Sequence, residues 1–194
     1  MITIDENHLY HRDGLTYKSV TGILAEEGFA DIFNFMREDE RQEKLDHGSY
    51  VHSALEAYDK EGEDLSELDI ELKPYVDNWK NFLKDYKPKF ISIEEKGICD
   101  SLGYGYTIDR VAKIGKGKYK GKTAIIDIKT GGFYKSYLLQ LAGYKYAWDE
   151  NNESKIDVCI LVSLEPYQVH ENIDANIMDW FNLVNTRNIK NKYK

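Results

Sequence analysis

The chain has 194 residues, of which 42% are hydrophobic and 31% are charged, and its formal net charge is −8. This composition excludes a wholly disordered chain, and no apolar run approaches the roughly 18 residues of a membrane span. The two cysteines, Cys99 and Cys159, are too few for a disulfide framework, a four-cysteine zinc site or an iron–sulfur cluster. The N-terminal segment lacks the apolar centre of a secretory signal, so we expect a cytoplasmic protein without membrane contact.

Charge is distributed unevenly along the chain. Residues 1–73 contain 19 Asp and Glu against 7 Lys and Arg, whereas residues 110–135 contain 8 basic residues and one acid, Asp127. A local basic surface can bind phosphates even when the pI of the whole chain is near 5.2. The basic segment therefore indicates either a solvated hairpin or a contact with nucleic acid.

The first 88 residues are predicted to form a hairpin followed by a helical region. The hairpin is indicated by Asp13-Gly14, a strong two-residue turn between the strand-like halves of 8–17. Ser19 is a typical N-cap for the first helix. Apolar periodicity predicts three helical segments in this region, at 20–27, 32–60 (with a break near 46–48) and 72–86.

A sheet core is predicted for 89–170, and a C-terminal helix for 171–194. Three consecutive strands joined by short turns favour an antiparallel meander, to which later strands add. Sequence patterns place strands at 90–99, 104–114, 119–130, 156–163 and 168–170, and helices at 135–149 and 173–188. This order predicts an α/β or α+β fold with a central mixed sheet flanked by helices, in a single domain over 1–194.

The strongest chemical signal is Asp127-Ile128-Lys129 at the end of a predicted strand. Side chains at i and i+2 project from one face, so Asp127 and Lys129 point together. Pairing through the Lys-rich hairpin would bring Asp109 beside Asp127. Two adjacent carboxylates repel unless a cation lies between them, and oxygen ligands suit Mg²⁺ or Mn²⁺. The alternative for this motif alone is a surface cross-strand pair.

Other polar residues accompany that motif along the chain. His52 lies one helical turn after Gly48, and Gln140 and Tyr144 are four residues apart on the helix that follows the Asp-x-Lys strand. Each has a plain structural alternative: a packed or solvated histidine, and residues of a helix interface. They are candidate site residues because of the order in which they occur along the chain relative to the Asp-x-Lys motif.

A strand that runs into Glu94-Glu95 adds an acidic candidate. Alternation through Ile91 and Ile93 puts Glu95 on their face and Glu94 on the other. The glutamate that enters the site therefore depends on which face packs inward, and we favour Glu95. An exposed strand end is the structural alternative.

This order of residues resembles the PD-(D/E)XK nuclease superfamily, and within it the RecB-like and phage-type exonuclease branch. The resemblance covers about residues 8–150, whereas the later segment matches only in broad pattern. No single piece is specific, but the pieces occur together and in order. The matching pieces are Tyr17–Leu24, Gly48 with His52, Glu94 or Glu95, Gly105–Asp109, Ile126–Gly131 and Gln140–Tyr144.

The resemblance implies a restriction-endonuclease-like core and a Mg²⁺- or Mn²⁺-dependent DNA nuclease, in particular an exonuclease of recombination or DNA end processing. Lys129 would position the attacking water and stabilise charge at the phosphate. Relatives with an iron–sulfur cluster use four cysteines, so this chain is not expected to carry one. The implied catalytic residues are Asp109, Asp127, Lys129 and Glu95, and the implied metal ligands are His52, Asp109, Asp127 and the Ile128 carbonyl.

DNA is the expected partner of such a site. The resemblance implies that Gln140 and Tyr144 touch the DNA backbone. A recombination or single-strand-binding protein and a homo-oligomer are further candidate partners. Processive strand separation, where it is needed, would have to come from a partner or a ring-shaped assembly. The charge of the hairpin adds four candidate phosphate contacts, namely Lys116, Lys118, Lys120 and Lys122.

A second function remains open, in which the nuclease fold serves as a catalytically silent DNA- or protein-binding module. Such a module would be expected to lose a metal ligand or the lysine. The whole set is present in this sequence, which disfavours the module.

Overall fold

Two sheets and five helices make up the described part of the chain, residues 1–29, 36–62, 70–171 and 173–193 of this computed structural model. The fold is α+β, as predicted. The strands are β1 (Thr3–Ile4), β2 (Leu9–Arg12), β3 (Leu15–Lys18), β4 (Lys89–Cys99), β5 (Tyr104–Lys113), β6 (Thr123–Lys129), β7 (Val158–Leu164) and β8 (Tyr167–His170). The helices are α1 (Val20–Glu26), α2 (Glu38–Glu61), α3 (Lys73–Tyr86), α4 (Ser136–Asn151) and α5 (Ile177–Lys192).

The N-terminal hairpin is confirmed as β2 and β3. Asp13 and Gly14 both have positive φ, 52° and 78°, as a tight hairpin turn of this kind requires. The short β1, which the sequence patterns did not indicate, adds a third antiparallel strand. Ser19 caps α1 as predicted, because its hydroxyl accepts the Gly22 amide at 2.9 Å.

The predicted break in the second helix is wrong. α2 continues from Glu38 to Glu61 through Gly48. A glycine inside a helix costs only about 1 kcal/mol relative to alanine, and burial of Val51 and Leu55 against the rest of the fold can offset that cost. The beginning of the predicted segment, at 32–35, lies outside the described residues.

The main sheet has the strand order β4-β5-β6-β7-β8. The antiparallel meander β4-β5-β6 is confirmed, although β6 begins at Thr123 because Tyr119–Lys122 lies in the turns of the hairpin. α4 then crosses the sheet so that β7 pairs parallel to β6, and β8 returns antiparallel. The predicted mixed sheet is therefore present, with its parallel pair at β6 and β7.

Two apolar layers enclose this sheet. On one side α1, α4 and α5 pack around Tyr104 and Trp180, and on the other α2 and α3 pack around Trp79 and Phe82. β6 lies between the layers, so its residues are buried as far as Ile128. Asp127 is thus a buried acid with apolar neighbours on either side, Ile126 and Ile128.

The predicted C-terminal helix is confirmed, but it begins at Ile177, where the Asn176 side chain caps it. Cys99 and Cys159 are buried free thiols. Within the described ranges, none of the helices has the length and apolarity that crossing a membrane requires.

Candidate active site

The site forms where β5 and β6 separate. Their pairing ends at Arg110 and Ile126, and beyond that point side chains bind the backbone of Ile128. The Ile128 amide donates to Asp109 Oδ2 at 2.7 Å, and its carbonyl lies 3.1 Å from His52 Nε2. A carbonyl can only accept, so in the neutral imidazole of His52 the proton sits on Nε2 and Nδ1 keeps its lone pair.

That Nδ1 faces two carboxylates. It lies 3.7 Å from Asp109 Oδ1 and 4.0 Å from Glu94 Oε1, and one potential ligand atom from each of the three residues falls within 4.8 Å of the others. One imidazole nitrogen and two carboxylates form a donor set that several divalent cations accept. A ligating histidine commonly donates its other ring N–H to a carbonyl, as His52 does here.

Glu94, and not the favoured Glu95, is the glutamate at this group. Glu94 has a positive φ of 53°, and the pairing of β4 with β5 is irregular between Phe90 and Ser92. This backbone breaks the simple alternation on which the expectation for Glu95 was based. The Glu95 carboxylate instead accepts a hydrogen bond from the Ser92 hydroxyl.

Behind Glu94 lies a buried charge network that sequence reasoning did not find. Arg110 Nη1 donates to Glu94 Oε1 at 2.9 Å, and its Nε donates to Asp59 Oδ2 at 2.8 Å. The other Asp59 oxygen accepts the Trp79 indole N–H at 3.0 Å. Asp59 follows His52 by two helical turns on α2, so this network ties the histidine helix to the strand that bears Glu94. The signal in the sequence was an arginine inside a buried strand, directly after Asp109.

Asp127 and Lys129 form an ion pair beside this group. Lys129 Nζ lies 3.2 and 2.9 Å from the two Asp127 oxygens and donates to Gln140 Oε1 at 3.1 Å. Gln140 Nε2 in turn donates to the Tyr144 hydroxyl at 2.9 Å. Nζ also lies 4.6 Å from the centre of the Tyr137 ring. The predicted pair and the predicted helix residues are therefore brought together.

Burial sets the protonation of the site. It raises the pKa of Glu94 to about 7, assisted by the charge of Asp109, and raises the pKa of Asp127 to about 6 despite the opposing effect of Lys129. Burial also disfavours charge on Lys129, but Asp127 and Asp109 outweigh it, and the pKa of Lys129 is raised. Lys129 is accordingly a cation at neutral pH.

The predicted metal ligands divide into two sets. His52 and Asp109 lie in the three-residue group with Glu94. Asp127 instead contacts Lys129, and the Ile128 carbonyl faces His52. Asp127 still interacts electrostatically with this group, because the charge of Asp109 raises the pKa of Asp127 and the charge of His52 lowers it.

The four hairpin lysines lie at the other end of β6 from Lys129. From Asp127 back to Thr123, where the hairpin ends, is four residues, or about 13 Å of strand. Lys122 pairs with Asp157 at 3.3 Å, and Lys118 lies 5.0 Å from the centre of the Tyr119 ring. The structure therefore does not bring Lys116, Lys118, Lys120 or Lys122 into the site.

No family model and no curated protein matches this chain.

Proposed function

We propose that this protein is a divalent-metal-dependent DNA nuclease of the PD-(D/E)XK type, with a restriction-endonuclease-like core. The observation that carries the proposal is the three-residue group of His52, Glu94 and Asp109 next to the ion pair of Asp127 and Lys129. The order of the main sheet, an antiparallel meander followed by a parallel crossover through α4, is compatible with such a core.

The donor set suits a divalent cation. Two carboxylates and an imidazole converge, and the Asp127 carboxylate lies beside them. Arg110 contacts Glu94 and Lys129 contacts Asp127, and the pKa of both acids is raised. Crowded carboxylates of this kind are stabilised by a bound cation. His52, Glu94 and Asp109, with Asp127 adjacent, would hold Mg²⁺ or Mn²⁺. When bound, the ion would polarise a phosphate oxygen and make water a better nucleophile.

The residues of the chain supply positioning and charge. Lys129 is a cation that Asp127 and Gln140 hold from two directions, so its ammonium is directed before substrate arrives. Such a cation stabilises the charge that develops on a phosphate during attack by water and can orient that water. Tyr144 fixes the Gln140 amide through its hydroxyl. Hydrolysis then forms a bond from water oxygen to phosphorus and breaks the ester bond to the leaving sugar oxygen.

The experiment is cleavage of end-labelled linear DNA and closed circular DNA with Mg²⁺, Mn²⁺ or EDTA. We expect metal-dependent loss of the linear substrate only, as for an exonuclease. Lys129→Ala and Asp127→Ala should lower the rate by at least about 100-fold, since the first removes the cation that acts at the phosphate and the second removes the carboxylate that holds that cation. Lys84→Ala, at an exposed position on α3, is the matched control and should retain the native rate.

Each other outcome has a defined meaning. Cutting of the circle would make the protein an endonuclease with the same chemistry. Native rates in folded Lys129→Ala and Asp127→Ala proteins would refute the assigned site. If the native protein leaves every substrate intact, the nuclease is refuted and the binding module becomes the better account.

A further inference from the structure

A cleft with mixed polar and apolar walls opens beside the candidate active site, between the three-stranded sheet, α1 and the strands β4 and β5. Its volume is about 390 Å³. The polar groups in its walls are five hydroxyls, one lysine, one aspartate and one histidine. The residues that matter here are Tyr10, Ser19, Thr21, Lys96, Thr107 and Tyr144.

The cleft adjoins the site through two neighbouring strands. Thr107 precedes Asp109 by two residues on β5, so the two lie about 7 Å apart along the strand. Lys96 stands directly opposite Thr107 in the sheet and follows Glu94 by two residues. A group bound between Lys96 and Thr107 would therefore be the next neighbour of a group bound at Glu94 and Asp109.

A second connection runs through α4. Tyr144 lines the cleft, and its hydroxyl accepts the Gln140 amide that is joined to Lys129. The wall of the cleft and the ammonium of the site are thus parts of one hydrogen-bonded chain.

The groups in the cleft suit a phosphate. Lys96 is exposed, and within the described residues it makes neither a hydrogen bond nor an ion pair. The Tyr10 and Thr107 hydroxyls are 2.6 Å apart, so one of them has a hydrogen free to donate to a ligand. Asp5 is the acid of the lining, and its carboxylate is already held by the amides of Asn7 and Leu9 and by His11.

We propose that this cleft is a phosphate subsite, in which Lys96 binds the backbone phosphate next to the one that is cleaved. The inference rests on the proposed function, because it names a contact of the same site with its DNA substrate. A lysine acts at such a place as a point charge that recognises phosphate without reading bases. Affinity contributed by the cleft is therefore expected to be independent of sequence and sensitive to salt.

The test is binding of fluorescently labelled DNA in EDTA, measured by anisotropy between 50 and 200 mM salt. We expect Lys96→Ala to weaken binding about tenfold, as for loss of one charge-assisted hydrogen bond, and to reduce the salt slope by about 1. Tyr10→Phe, which removes only a hydroxyl, should weaken binding a few-fold. Lys84→Ala, on the helix that packs against the opposite face of the sheet, should bind as the native protein does.

Three outcomes would overturn the proposal. The first is native affinity and native salt slope in Lys96→Ala, and the second is an equal loss in Lys84→Ala. The third is a Lys96 effect that disappears on DNA without a terminal phosphate, because the cleft would then bind the end of the strand and not an internal phosphate.

Failure of the subsite and failure of the nuclease are distinguishable. If Lys96→Ala weakens binding but the native protein cleaves nothing, the subsite stands and the nuclease fails. If the native protein cleaves DNA, Lys96→Ala should raise KM about tenfold with kcat nearly unchanged, and an unchanged KM refutes the subsite alone.

Discussion

Single ionisable residues decide what this site can do. Glu94 and Asp127 sit in buried positions that raise the pKa to about 7 and about 6 respectively, whereas Lys129 stays charged because two carboxylates surround it. Near neutral pH the two acids are therefore close to their titration range, and a cation that binds them favours the ionised forms. Protonation and metal binding are thus linked at the same carboxylates.

The pH dependence of stability follows from these shifts. A carboxyl whose pKa is higher in the folded than in the unfolded chain, where it is about 4, binds more protons when folded. Stability contributed by Glu94 and Asp127 is therefore greatest below about pH 4 and is lost as the pH rises through about 6 to 7. We expect the Tm in EDTA to fall between pH 5 and 8 by less in a Glu94→Gln/Asp127→Asn double variant than in the native protein.

Metal should reverse that loss. Mn²⁺ binds the ionised carboxylates of the folded protein, so it should raise the native Tm at pH 8 more than at pH 5. The double variant serves as the control and should respond weakly to Mn²⁺. Native and variant proteins with parallel Tm curves in EDTA would contradict the assigned shifts.

The buried network behind Glu94 predicts a large effect of a single substitution. Asp59→Ala leaves Arg110 Nε and the Trp79 indole N–H without their acceptor and removes one of the two carboxylates that pair with Arg110. Removal of one partner of a buried ion pair costs about 3–5 kcal/mol in the free energy of unfolding, which urea denaturation measures. Asp77→Ala, which breaks a surface pair with Lys73, is the control and should cost under about 1 kcal/mol. Equal losses in the two variants would refute the structural role of the network.

At the scale of whole elements, the site depends on places where regular structure is interrupted. β5 and β6 separate so that Asp109 and His52 bind the backbone of Ile128, and the positive φ of Glu94 turns its carboxylate toward them. The three-stranded sheet adds one wall of the cleft, because the ring of Tyr10 packs on Gly105 of β5. The approach is close: a Cβ on Gly105 would lie 2.2 Å from Tyr10 Cγ.

The close contact between Tyr10 on β2 and Gly105 on β5 predicts that substitutions at these two residues have coupled effects on stability. Gly105→Ala should displace the Tyr10 ring and lower the free energy of unfolding by about 1–3 kcal/mol, as overpacking does. In the Gly105→Ala/Tyr10→Ala double variant the two losses should be less than additive, because the clash is gone. Gly132→Ala is the control, since its added Cβ meets nothing within 4 Å. Additive losses in urea denaturation would mean that Tyr10 does not join the two sheets.

At the scale of the whole molecule, the lysines proposed here to contact phosphate lie at two separate places. Lys129 and Lys96 are at or beside the site, and the hairpin lysines are at the far end of β5 and β6. A DNA molecule that contacts both groups of lysines must run along the length of β5 and β6. Attraction at the hairpin would then add affinity without changing the chemistry at Asp127.

The hairpin can be tested separately from the site. We expect replacement of its four lysines by alanine to weaken DNA binding and to reduce the salt slope by up to about 3, since Lys122 is already paired with Asp157. The cleavage rate at saturating DNA should stay within about twofold of native. Unchanged affinity and slope would identify the hairpin as a solvated loop, the alternative that its composition also allows.

The sequence by itself determined the order and type of most secondary-structure elements and most of the candidate site residues. Asp13-Gly14, the Ser19 cap and the stop before Pro88 are local signals, and the structure follows each of them. Asp127 and Lys129 were also predictable as neighbours, because side chains two apart on a strand share a face whatever the rest of the fold does.

The tertiary structure alone decided which residues complete the site. The selection of Glu94 depends on one backbone angle, the continuity of α2 through Gly48 depends on packing, and the pairing of Arg110 with Asp59 joins residues 51 positions apart. The cleft likewise needs two sheets and a helix in contact. Such features depend on burial and on long-range contacts, whose energies exceed the local preferences that a sequence pattern reports.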